Sequence, residues 1–372
     1  MDGGGGTLSI TFVAESSVDV RTSTLRILFL PGSYASPAAR FRLWQFVEPL
    51  RALGHTVDVR VTRPPRQWGS SLRPEVLHRA HTLVGQCWRV VSALWILHDA
   101  SNFDVIVMNR DIVPNTRIDF IEPWLARRNP RLIFDFDDAI HLGQRERKLR
   151  KILPVFAWIT AGNEYLASFA RHIHPNVSVW PTVVNTDSYQ LSEGRPPGVL
   201  RIGWSGSDST LKYCLPLLRK VIVELARDED FEFVVIANVP PQIWPGVKIR
   251  FIPWSPATEV WGLQQIDIGL MPLRDEPFER GKCGLKAIQY MAVGVPAVVS
   301  PVGVNKEIVI HGETGFHCSS EEEWKESLLL LMHDEELRVR LGRAGRQRVV
   351  EHYSVASLLP KMIEVFEQVS RI

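Results

Sequence analysis

One segment constrains this chain more than any other: RGKCGLKAIQYMAVGVPAVVSPVGVN, residues 280–305. It reads as a basic glycine loop, a short helix and a buried strand. Leu285, Ile288, Met291 and Ala292 recur at helical spacing, Gly294 is placed to stop the helix, and Pro296 keeps it from resuming. Residues 297–299 then form a short apolar strand ending in Ser300, Pro301 and Gly303. Lys282 and Lys286 sit where the loop opens into the helix, so two ammonium groups and free backbone N–H groups converge there. A phosphate or diphosphate fits such a place. The charge pattern alone fits equally well two solvated lysines on an ordinary surface helix.

The same strand–helix rhythm runs through the rest of the chain. Residues 25–30 read as a buried strand, 31–39 as a loop, 40–53 as an amphipathic helix closed by Gly54, and 55–61 as an alternating strand. Residues 104–108 and 132–136 are further strands around a helix at 116–127, and 159–170 read as strand end, glycine turn and helix. The rhythm then restarts, with strands at 201–204, 231–237, 248–252 and 266–273, a helix at 213–225, a helical region at 321–350 and a last helix at 354–369. SEGRPPG, residues 192–198, has the proline and glycine content of a hinge. The expected division is a flexible leader 1–23, a first domain 24–191, a linker 192–198, a second domain 199–353 and a terminal helix 354–372. A length of 372 residues allows each domain its own core.

Composition narrows the function classes. With 45% hydrophobic and 23% charged residues the chain is neither disordered nor fibrous, and a net charge of +2 gives no field that would draw nucleic acid. The charge is uneven: 22 Lys and Arg stand against 17 Asp and Glu up to Gln190, and 21 against 24 beyond it. The first half is therefore expected to face an anionic acceptor or a membrane surface. Cys87, Cys214, Cys283 and Cys318 show neither C-x-x-C spacing nor a nearby histidine cluster, which argues against a zinc site or a disulfide framework and fits a reducing cytoplasm. Residues 1–24 lack the pattern of a signal peptide, and no apolar run approaches the ~20 residues of a membrane span. The expected location is the cytoplasm, with peripheral contact at the inner face of the membrane through the first domain. Residues 72–97, carrying Trp88 and Trp95, offer an interfacial helix for that contact. Their apolar positions cover more than one face, which favours packing against the sheet.

DFDDAIHL, residues 135–142, puts three carboxylates at the C-terminal end of a strand, where open α/β sheets bind ligands. Asp135 and Asp137 form a D-x-D triplet, by itself a weak metal signal. No G-x-x-x-x-G-K-[ST] occurs and no G-x-G-x-x-G follows a strand, which disfavours a P-loop kinase and a dinucleotide oxidoreductase.

The segment 280–305 resembles the donor-binding segment of the group 1 (family 4) glycosyltransferases of GT-B architecture, in the branch reading G-K-C-x-x-K-x-x-Q-Y-M-A-x-G-x-P. The resemblance implies two Rossmann-like domains facing across a cleft, with a C-terminal helix crossing back to the first. It implies transfer from a nucleoside-diphosphate sugar to a lipid-linked glycan or small-molecule acceptor, with retention of anomeric configuration and no metal or other cofactor. In the family, Gly-Arg and a lysine five residues on hold the diphosphate; here Gly206 is followed by Ser207, and Lys212 falls on the lysine position. Lys282, Lys286 and the N–H groups around Gly206, Ser207 and Gly284 are then the groups expected to stabilise the leaving diphosphate. Asp137 stands where the family has a histidine near the sugar, and Asp138 where it has an aspartate. The family's E-x7-E falls on Gly281 and Gln289, so both carboxylates are absent and Gln289 is left to hydrogen-bond a ribose hydroxyl. Arg40, Arg42, His141 and Asn163 are the candidates on the acceptor side. Arg40 and Arg42 read otherwise as arginines on an exposed helix, and His141 as a surface histidine. A catalytically inert glycosyltransferase-like subunit and a nucleotide-sugar 2-epimerase are the competing functions, the latter needing an acidic and histidine cluster near Gly281 that the sequence does not offer.

Overall fold

The computed structural model describes residues 24–33, 36–61, 88, 91–113, 118–191 and 198–372. The leader 1–23, most of the helix expected over 72–97 and all but the last residue of the linker lie outside the described residues. Two six-stranded sheets, each wholly parallel, organise the remainder. The first holds β1 Arg26–Leu30, β2 Thr56–Val59, β3 Val105–Asn109, β4 Leu132–Phe136, β5 Trp158–Ala161 and β6 Val177–Val179, in the order β2-β1-β3-β4-β5-β6. The second holds β7 Leu200–Gly206, β8 Phe231–Ala237, β9 Lys248–Pro253, β10 Ile268–Met271, β11 Ala297–Val299 and β12 Gly315–His317, in the order β12-β11-β10-β7-β8-β9.

Each sheet is buried on both faces, so its strands read as near-continuous apolar runs. Leu28, Phe134 and Ile159 belong to one core of the first sheet, and Ile27, Phe29 and Ile133 to the other. The terminal helix Val355–Ser370 completes the second of these cores. Its Leu358, Met362, Val365, Phe366 and Val369 are buried against β1 and β3, with the Phe366 ring 6.4 Å from that of Phe29 and 6.0 Å from that of Trp180. The GT-B return crossing is therefore present, held by side chains that each contribute about 1.5–3 kcal/mol of burial.

Several helices expected as single pieces are broken, and proline explains two of the breaks. The 40–53 region is Pro37–Arg42, a 3-10 turn Trp44–Phe46 and then Val47–Ala52, because Pro49 removes a donor and crowds the turn before it. Pro216 likewise splits the next domain's first helical region into Asp208–Tyr213, Leu215–Leu218 and Arg219–Asp228. The 321–350 region breaks at Asp334, whose side chain caps Glu335–His352. In the described part of the 72–97 stretch, Ala93 and Ile96 are buried while Trp88, Val91, Leu94 and Trp95 are exposed. Strand order reverses between β1 and β3 and again between β7 and β10. Open parallel sheets bind ligands at such places, beyond the strand C-termini.

Candidate active site

Both reversal points open onto one cleft of about 1040 Å³. The first sheet contributes Ser33 and Ser36 after β1, Arg110 after β3, and Asp137 and Asp138 after β4. The second contributes Ser205, Gly206 and Ser207 at the end of β7, Met271 at the end of β10, and Lys282, Gly284, Lys286 and Gln289 from the organising segment.

On the second-domain wall, Gly284 takes a left-handed φ of 67° and starts the helix Leu285–Ala292, whose first-turn N–H groups are unpaired by helix geometry. Lys286 is half-buried, its Nζ 5.7 Å from the Trp204 ring centre, and Lys282 Nζ lies 4.7 Å from that of Phe278. Among the described residues neither lysine is salt-bridged to a carboxylate. Burial, and then the Lys282 charge, bring the Lys286 ammonium down from the ordinary lysine value to about 8. An incoming anion would reverse that.

The opposite wall is acidic. One Arg110 nitrogen donates to both Asp137 (2.8 Å) and Asp138 (2.6 Å). Burial opposes the guanidinium charge, but the two carboxylates outweigh it and push the Arg110 pKa up. Burial and the Asp137 charge raise the Asp138 pKa against the pull of Arg110 and Lys282. Arg110 has a φ of 66°, rare for a residue with a Cβ, so the turn after β3 holds it in place at a cost.

Beneath the cleft the domains interlock. The Cys283 side chain joins the core of the first domain, its Sγ 3.1 Å from the Asp137 carbonyl oxygen, and burial pushes the thiol pKa up. Asn163 caps the helix Glu164–Arg171 through Leu166 N and donates to the Lys282 carbonyl at 3.0 Å. Gly281 lies so close to the first domain that a Cβ there would stand 2.6 Å from the Ala139 Cβ and 2.9 Å from its nitrogen. A larger side chain at this position, a carboxylate included, would need the Ala139 backbone to move.

Several expected residues are placed elsewhere. Lys212 ends the short helix Asp208–Tyr213, is 65% exposed and pairs with Asp208, so it does not line the cleft. Arg42 is buried, not on an exposed helix: Nε and Nη2 clamp Asp135 and Nη1 donates to the Trp180 carbonyl. Asp135 also accepts from Asn109 and Thr160, both at 2.8 Å, which leaves it no free lone pair for a metal ion. His141 is buried and stacks on Phe169 at 4.3 Å instead of lining the cleft, and burial lowers its pKa. Asn163 serves the domain junction. Arg40 reaches across it, both Nη atoms bonded to Glu259 at 2.8 and 3.0 Å. Among the described residues no group of three or more His, Cys, Asp or Glu side chains is arranged to hold a metal ion. No helix among them is long and apolar enough to cross a membrane.

The sequence reading missed Arg110, Tyr189, Trp254 and Glu259. Arg110 carried a usable signal, a charged pair directly after an apolar strand. Glu259 carried none, because two of its three partners, Arg40 and Tyr189, are far away in the chain and the third, Trp254, shows no local pattern.

Residues 245–348, from β9 through most of the Glu335–His352 helix, match the family model of the glycosyl transferases group 1. Over that stretch the chain is similar to the group 1 glycosyltransferases. It is 28% identical over 95 residues to N-acetyl-alpha-D-glucosaminyl L-malate synthase of Bacillus anthracis, covering 25% of each chain. It is 31% identical over 118 residues to D-inositol 3-phosphate glycosyltransferase of Corynebacterium efficiens, covering 31% of this chain and 26% of that one. The aligned part thus spans about a quarter of the length of these relatives. The whole fold resembles sucrose-phosphate synthase from Thermosynechococcus elongatus, with a TM-score of 0.67 at 16% identity over 92% of this chain and 99% of that one. It also resembles HepE of Anabaena in complex with UDP and glucose, with a TM-score of 0.61 at 14% identity over 92% and 100%. These likenesses establish the GT-B fold.

Proposed function

We propose that this protein is a retaining glycosyltransferase that moves a sugar from a nucleoside-diphosphate sugar to an acceptor hydroxyl without help from a metal ion. One observation carries the reading: Lys282, Lys286 and the start of the Leu285–Ala292 helix share one wall of the cleft, with no carboxylate salt-bridged to either lysine among the described residues. The match of residues 245–348 and the UDP held by the structurally similar HepE agree with it.

As the bond from the anomeric carbon to the diphosphate breaks, negative charge grows on the leaving oxygen and positive charge on the sugar. Lys282, Lys286 and the helix N–H groups meet the first. Asp137 and Asp138, oriented by Arg110 on the facing wall, meet the second. The acceptor oxygen bonds to the carbon on the face the diphosphate leaves, and its proton passes to the departing phosphate oxygen, so no strong general base is needed. A lipid-linked glycan or small natural-product core is the proposed acceptor. Exposed Trp88, Val91, Leu94 and Trp95 supply an apolar face for peripheral membrane contact. An inert binding subunit remains the second reading, because neither Gly281 nor Gln289 carries the family's carboxylate.

The test is to incubate the purified chain with UDP-glucose, UDP-N-acetylglucosamine and GDP-mannose and assay free nucleoside diphosphate. Slow release from one of them, lost in Lys286→Ala, is expected. Tight nucleotide binding with no release above background, with or without added acceptors, would favour the inert subunit.

A further inference from the structure

We propose that Tyr189 is a positioning residue for the donor nucleoside: held by Glu259 and Arg40, it fixes the Gln289 amide so that its carbonyl oxygen faces the cleft and accepts a sugar hydroxyl. This rests on the donor-site reading above and extends it to residues outside the organising segment.

The direction of each hydrogen bond follows from counting. The Glu259 carboxylate takes four donors: Arg40 Nη2 (2.8 Å) and the Tyr189 hydroxyl (2.6 Å) on Oε1, and Arg40 Nη1 (3.0 Å) and Trp254 Nε1 (2.9 Å) on Oε2. Two carboxylate oxygens offer about four lone-pair sites, so Glu259 is fully used and has none left for a ligand. Tyr189 spends its only proton on Glu259. Burial, and then the Glu259 charge, push the Tyr189 pKa well up, so the phenol keeps that proton. Towards Gln289 the Tyr189 oxygen can therefore only accept. The contact at 2.8 Å must be an amide N–H donating to it, and this assigns nitrogen and oxygen in a side chain whose two ends are otherwise alike. Gln289 is almost fully buried but lines the cleft, and no donor among the described residues reaches its carbonyl oxygen.

The chain of bonds gives the site a defined polarity. Gln289 presents an acceptor where a free amide would turn either way, and an acceptor recognises a hydroxyl. It also explains how glutamine serves here. A carboxylate at position 289 would face the Tyr189 oxygen, whose proton is already committed. Arg40 and Tyr189 come from the first domain, Tyr189 just before the linker, and Glu259 and Gln289 from the second, so hydroxyl recognition depends on the domains being closed together.

The experiment measures affinities of UDP, GDP, ADP, their 2′,3′-dideoxy counterparts and inorganic pyrophosphate for wild type, Tyr189→Phe, Gln289→Met and the double variant. Each single change is expected to weaken the best-bound ribonucleotide about tenfold, leave pyrophosphate within twofold, and erase the preference for ribo over dideoxy sugar. The double variant should be no weaker than either single, since Tyr189 acts through Gln289. Tyr189→Phe binding ribonucleotides as wild type does, losing pyrophosphate in parallel, or combining with Gln289→Met to a hundredfold loss would each overturn the inference alone. Wild type binding none of the nucleotides would overturn the donor-site reading and this inference with it.

Discussion

Nucleoside diphosphate affinity should fall about tenfold, or roughly 1.4 kcal/mol, between pH 7 and pH 9. Lys286 is the source. Its ammonium is half-buried beside Lys282 and carries a pKa of about 8 in the free protein. It is thus about nine-tenths charged at pH 7 and about one-tenth charged at pH 9. A diphosphate against both lysines favours the charged form and lifts that pKa again, so binding at pH 8 should take up about half a proton. Calorimetry with UDP in two buffers of different protonation enthalpy reads the uptake directly, and a series across pH 7–9 reads the affinity. Lys286→Met should bind weakly and show a flat profile. The same group leaves a mark on folding. Its folded pKa lies below the ordinary lysine value of 10.5, so between about 8 and 10.5 the unfolded chain holds the extra proton and stability rises with pH. Below that window the buried charge costs stability in full, so Lys286→Met should melt higher than wild type at pH 7. Wild-type affinity that is flat across pH 7–9, with no proton uptake, would refute the assignment of Lys286 to the anion site.

Gly281→Glu should not restore a donor-site carboxylate. Its Cβ meets Ala139 at 2.6 Å, and overpacking of this kind costs about 1–3 kcal/mol, so melting should drop several degrees with no gain in nucleotide-sugar turnover. Arg42→Ala strips the buried Asp135 carboxylate of its charged partner and should cost about 3–5 kcal/mol in denaturant unfolding, whereas a role in acceptor binding would instead leave stability intact and raise KM. In a Cys87→Ser background, Cys283 should resist a thiol reagent until denaturant is added, because it is buried at the domain junction with its pKa pushed up. Fast labelling in buffer would show that the domains stand apart in solution.

Short-range patterns carried the fold well. Continuous apolar runs marked β4, β8 and β11, and Gly294 with Pro296 marked the end of the organising helix, because those signals depend on neighbours in sequence. Lys282 and Lys286 were legible for the same reason, since a loop opening into a helix fixes where nearby side chains go. What escaped depends on partners far along the chain. Arg42 finds Asp135 across 93 positions, and Arg40 finds Glu259 across 219, so nothing local showed that one would be buried and the other would tie the domains together. Lys212 lies outside the cleft lining. Its spacing from Gly206 fits the resemblance, but its side chain stands in solvent, one helical turn from Asp208, a placement that spacing alone does not reveal. Asp135 lost its metal reading to four donors on three other elements, none of which the D-x-D triplet reveals.

The central claim is a diphosphate site built from two lysines and a helix start that works without a metal ion. A thermal-shift screen of the purified chain against UDP, GDP, dTDP and ADP, with and without EDTA, tests it most directly. Ligand at a hundred times its Kd stabilises the folded state by about 2.7 kcal/mol, a shift of several degrees. One nucleotide should raise melting equally with and without EDTA, and the rise should vanish in the Lys282→Ala, Lys286→Ala double variant. No shift with any nucleotide, or a shift abolished by EDTA, would contradict the account.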